Sequence, residues 1–140
     1  MIKNISESMK EYAEMAVQFA KNFYETDLDY SEDSLQKVDE VIAAYRSGQV
    51  FDPKELTREQ EEDLWIFSKM IGGYVGEVII RNLGGAWLTR KLDDLNLSIE
   101  LQIADQVEGS PPEMVFQCLT EPFRTVEAYY QEAKKSLSVH

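Results

Sequence analysis

Histidine and cysteine are almost missing from this 140-residue chain, which holds one of each. His140 stands at the carboxyl end, where chains usually fray. Ser-His and Cys-His nucleophile pairs and the usual zinc sites therefore have no imidazole to draw on. A single cysteine, Cys118, permits neither a disulfide nor a thiolate cage within one chain, and it fits a reducing compartment. It falls in a segment that reads as a strand, where a small buried hydrophobe is the expected role. No apolar run approaches the roughly 20 residues that cross a bilayer. The start, Met1-Ile2-Lys3-Asn4-Ile5-Ser6-Glu7, turns acidic without an apolar core, so no secretory signal is expected and the chain reads as cytoplasmic.

Basic charge is also scarce, with 14 Lys and Arg against 26 Asp and Glu and a net charge of −12. Lys and Arg occur as doublets such as Arg90-Lys91 and Lys134-Lys135, and no larger cluster forms. Neither nucleic acid nor a membrane surface is therefore an expected partner. The acid is concentrated in the first half of the chain. Solubility accounts for most surfaces of this kind, and a basic protein partner is the functional alternative. The segment Asp27-Leu28-Asp29-Tyr30-Ser31 begins like a calcium loop but places Glu32 where the sharp turn needs glycine and Val38 where a bidentate Glu belongs. Gly72-Gly73-Tyr74-Val75-Gly76 lies inside a helical pattern and follows no strand, so it is not a phosphate loop. No metal and no cofactor is expected.

What the chain does contain is an apolar share of 44%, enough for one core and one domain over residues 1–140. Helical three-and-four spacing of Met9, Tyr12, Ala13, Ala16, Phe19, Ala20 and Phe23 predicts a helix from about Ser8 to Tyr24. A second opens at Ser31 as N-cap, with Tyr30 stapled onto Leu35, and runs along Leu35, Val38, Ile42 and Tyr45 to Gly48. Thr57 and Gln60 form a capping box for the longest helix, whose Leu64, Phe67, Ser68, Ile71, Tyr74, Val75 and Val78 hold one face. Each of Gly72, Gly73 and Gly76 costs that helix roughly 1 kcal/mol of propensity, and close packing of a neighbour is the expected compensation. Within it, Glu77 and Arg81 are spaced as an ion pair.

After Leu83-Gly84-Gly85 the apolar period changes to two. Leu97, Ile99, Leu101 and Ile103 mark a strand with one buried face, paired with Ala86 to Lys91 across an Asp93, Asp94 and Asn96 turn. Met114 to Leu119 reads as a third strand. Pro122 then suits the first turn of a last helix with the stripe Phe123, Val126, Tyr130, Ala133 and Leu137. The predicted class is α+β, with three N-terminal helices, a small three-stranded antiparallel sheet and a C-terminal helix.

Leu28-Asp29-Tyr30-Ser31, with Gly73-Tyr74-Val75-Gly76-Glu77-Val78-Ile79 and Asn82-Leu83-Gly84-Gly85-Ala86-Trp87, resembles a bacterial family of short proteins of unknown function. That family is marked by Asp-Tyr-Ser, Gly-Tyr-x-Gly-Glu and Gly-Gly-x-Trp motifs, and the likeness covers roughly residues 28–87. Its members carry a more basic C-terminal region than Arg124, Lys134 and Lys135 provide. The resemblance implies that Tyr74, Glu77, Arg81, Asn82, Gly84, Gly85 and Trp87 matter, either as the architecture of a helix-to-strand junction or as a recognition surface. Three functional readings stand at this point. The first is a non-catalytic binding protein, immunity- or inhibitor-like, that meets a basic protein through an acidic helical face including Asp27, Asp29, Glu59, Glu62 and Asp63. The second is a small-ligand binder or hydrolase-type enzyme built around Glu77, Arg81 and Trp87. The third is a self-associating structural protein, a homodimer.

Overall fold

The longest helix organises everything else, because three other elements pack against it at close range. The computed structural model describes residues 4–104, 106–107, 109–121 and 123–138. Among these, α1 spans Ile5–Tyr24, α2 Ser34–Ser47, α3 Arg58–Leu83, α4 Pro111–Thr120 and α5 Val126–Ser138. Strands β1 (Ala86–Lys91), β2 (Leu97–Ile103) and β3 (Gln106–Val107) form an antiparallel sheet in the order β1-β2-β3. The class is thus α+β, as predicted.

α3 begins with the expected capping box. Thr57 accepts from the Gln60 amide, and Gln60 returns a bond to the Thr57 amide. Every residue from Ile71 to Ile79 is buried, and the glycines show how. A Cβ on Gly72 would lie 2.6 Å from Pro112 of α4, one on Gly73 would lie 2.9 Å from Tyr12 of α1, and one on Gly76 would collide with the Trp87 ring of β1. The lost helix propensity is therefore exchanged for contact on three sides, which adds dispersion and removes apolar area from water. Gly84 and Gly85, with φ of +84° and +128°, then turn the chain into β1.

Four expectations need correction. Met114 to Leu119 is helix, not strand, and Cys118 lies within α4, buried, with its thiol pushed up to about 12 by that burial. Ser110 caps α4 by accepting from the Glu113 amide, and Pro111 and Pro112 occupy the first turn, so Ser-Pro-Pro-Glu is a helix start. The third strand is instead the two-residue β3, reached from β2 through Ala104 at φ +54°.

Second, α2 starts at Ser34, after a turn in which the Ser31 hydroxyl accepts from the Ser34 amide. The Tyr30 ring packs on that of Tyr74. Third, Phe123 lies outside α5 and is exposed, and Phe23 is exposed on α1. Pro122 and His140 lie outside the described residues. α5 is instead started from another helix, because the Asp39 carboxylate of α2 accepts from the Val126 and Glu127 amides at 2.7 and 3.1 Å. Fourth, Leu97 at the start of β2 is exposed, whereas Ser98 and Glu100 are buried. Arg90 holds Glu100 through two bonds, at 2.7 and 3.1 Å. Among the described residues, no helix is long and apolar enough to cross a membrane.

Candidate functional site

The residues singled out by their motifs come together in two knots, the first part-buried and the second buried. In the first, Tyr30 adopts a left-handed backbone at φ +65°, a conformation that costs an aromatic residue roughly 1–2 kcal/mol. Its neighbours hold it there. The Tyr74 hydroxyl accepts from the Tyr30 amide at 2.8 Å and shares a 2.7 Å bond with the Ser34 hydroxyl. Asn82 Nδ2 donates to the Tyr30 and Val78 carbonyls. The Tyr30 ring lies between the Tyr74 ring, 4.9 Å away between centroids, and the Arg81 guanidinium, 3.6 Å from its centroid. Burial raises both phenols above the usual tyrosine value.

In the second knot, Trp87 Nε1 donates to Glu77 Oε2 at 2.9 Å, with both side chains buried. The expected Glu77–Arg81 ion pair is absent among the described residues, because Arg81 is spent on Tyr30 and Glu77 on Trp87. Tyr74, Arg81 and Asn82 thus act on one loop, and Glu77 and Trp87 join α3 to β1.

The acidic residues separate into two groups. Asp29 accepts from the Ser31 amide and hydroxyl, bonds that hold its carboxyl below the usual range, and the Asp27 carbonyl takes a bond from Lys37. Glu59, Glu62 and Asp63 lie in the opening turns of α3, exposed, with Glu62 paired to Arg58 at 3.2 Å. The loop holding Asp27 and Asp29 is fastened to α3 between Tyr74 and Asn82. At 1.5 Å per helical residue, the two groups are on the order of 20 Å apart along the helix.

Beside the second group lies a feature that no motif marked. A groove of about 810 Å³ runs between the first half of α3, the β1–β2 turn with the start of β2, and the N-terminus of α4. Trp65, Ile66 and Lys69 form one wall, Leu92 and Leu97 to Ile99 the other, and Ser110, Pro112 and Glu113 close one end. Three of its apolar side chains face solvent: Ile66 is 63% exposed, Leu97 65% and Leu92 54%. Trp65 is braced from behind by stacking on Phe116 at 4.4 Å. Glu61, Glu62, Arg58 and Glu113 rim it. A smaller polar cleft of about 330 Å³ between α2 and α5 is bridged by the Lys134–Glu32 ion pair at 3.1 Å.

No family model matches the chain, and no curated protein does. Among solved structures, a crystal structure from Bacteroides thetaiotaomicron VPI-5482 at 1.50 Å resolution is similar, with a TM-score of 0.65 and 19% identity over 94% of this chain. The likeness is one of fold. This chain spans 45% of that protein's length.

Proposed function

We propose that this chain is a non-catalytic protein-binding module, of the type immunity and inhibitor proteins represent. It engages a basic protein through the groove beside α3, with the carboxylates of the first α3 turns as an acidic rim. The observation that carries this reading is the convergence of solvent-facing Ile66, Leu92 and Leu97 on one groove edged by Glu61, Glu62 and Glu113. Apolar side chains ringed by polar ones are the usual make-up of an interface core and rim. The charge of −12 adds steering toward a cationic partner.

The same exposed residues favour a second reading, association of two copies through the groove. Capture from the host lysate at low and high salt, with wild-type chain and with an Ile66→Glu/Leu97→Glu variant, separates the two when sedimentation is run alongside. A basic protein retained by wild type, lost from the variant and weakened by salt supports binding. Equal retention by both chains refutes it. A wild-type mass of two copies that the variant halves favours self-association.

A further inference from the structure

The groove opens onto a free strand edge. In an antiparallel strand the N–H and C=O of one residue leave on the same side, and successive residues alternate. On β2 the even-numbered residues face β1: the Leu92 amide donates to the Asn96 carbonyl at 2.9 Å, and Ser98 and Glu100 sit in register with Arg90 and Leu88. Odd-numbered residues face the other way. The Leu101 amide donates to the Gly109 carbonyl at 2.9 Å, and Ile103 pairs with Gln106 of β3. Leu97 and Ile99 therefore direct their amides and carbonyls away from β1, on the side where β3 has already ended.

The chain leaves that edge for a chemical reason. After Gly109 comes Ser110-Pro111-Pro112, and proline has no N–H with which to extend a ladder. Beyond the Leu101 bond to Gly109, no hydrogen bond among the described residues reaches the outward groups of Leu97 or Ile99. Asn96, Leu97, Ser98 and Ile99 line the groove consecutively. A strand that presented only a face would line it with alternate residues, and consecutive ones accord with an edge. Natural sheets usually blunt such edges with lysine, proline or a bulge, and Leu97-Ser98-Ile99 carries none of these.

We infer that an extended segment of the partner adds to the sheet here, alongside β2 at residues 97–99 and in line with β3, between β2 and α3. The inference rests on the protein-binding reading and names how the partner is held. Backbone bonds to Leu97 and Ile99 supply the docking. Apolar side chains at alternate positions meet Ile66 and Leu97. Lysine or arginine between them reaches Glu61 and Glu113, which hold no ion pair among the described residues.

The test uses an acetylated, amidated heptapeptide of alternating lysine and valine, titrated into the ¹⁵N-labelled chain and followed by NMR. A twin peptide is N-methylated on alternate backbone amides. The expected result is saturable binding that shifts the Leu97 and Ile99 amide signals and slows their exchange, at least tenfold weaker for the twin. Leu97→Pro removes one outward N–H and leaves the bonds to β1 in place, so it should fold and weaken binding at least tenfold. Equal affinity of the twin, signals moving elsewhere, or no saturable binding overturns strand addition. A free chain that sediments as two copies with Leu97 and Ile99 already protected overturns it as well. If the groove variant abolishes capture while the peptide result is negative, strand addition alone fails. If the groove variant leaves capture intact, the binding reading fails instead.

Discussion

The two halves of α3 behave as opposite kinds of surface. From Ile71 to Ile79 the helix is buried on all sides, with glycines against α1, α4 and Trp87. From Arg58 to Lys69 one face meets neighbours and the other looks into an open groove lined with solvent-facing Ile66, Leu92 and Leu97. The closed half needs unusual residues, since only glycine admits three neighbours at that range and only a polar pair satisfies a buried Trp87 indole and Glu77 carboxylate together. The open half is made of ordinary ones. The distinctive motifs therefore fall at the contacts of the closed half, and the open groove carries no motif of its own.

Substitutions in the closed half should break this contrast most visibly. Gly76→Ala drives a methyl group into the Trp87 ring and is expected to cost about 3 kcal/mol, read as a fall in the urea midpoint. Trp87→Phe leaves the buried Glu77 carboxylate without its donor. A loss of about 2–3 kcal/mol is expected, with Glu77→Gln milder at about 1 kcal/mol because the amide oxygen still accepts.

Tyr74→Phe removes the group that holds the Tyr30 amide and the Ser34 hydroxyl, for about 1–2 kcal/mol in the same assay. The raised phenols fix a pH sign as well. Their folded values lie above the usual 10.0, so their contribution is whole below pH 10 and is lost as pH rises through the folded values. A urea series across that range should show the fall, and it should be smaller in Tyr74→Phe. Smallest is the effect in the open half. Ile66→Thr should change stability by no more than about 0.5 kcal/mol while weakening partner capture, and a loss near that of Trp87→Phe would show that the groove is core.

Much of the frame is legible in the chain. The capping box at Thr57 and Gln60, the α3 stripe and the β1–β2 hairpin all follow from local period and turn chemistry, and the compensation for Gly72, Gly73 and Gly76 is the packing their cost implies. Met114 to Leu119 misleads because its apolar run is too short for period alone to decide. The decisive signal is the preceding Ser110-Pro111-Pro112-Glu113, a helix start that also resembles a loop. Glu77 and Arg81 have helical pair spacing, yet each finds a better partner from another element, Trp87 and Tyr30, which spacing cannot express. The groove is least legible because its walls come from α3, β2 and α4. Its open edge depends on where β3 stops.

Hydrogen exchange of the free chain, resolved residue by residue along β2, reads the open edge itself. The amides of Leu97 and Ile99 should exchange at rates close to those of an unprotected strand edge, while Ser98, Glu100 and Leu101 stay protected by their bonds to β1 and Gly109. Protection at Leu97 and Ile99 equal to that of their neighbours would mean that the edge is covered, and the groove would then not be the open surface on which this account depends.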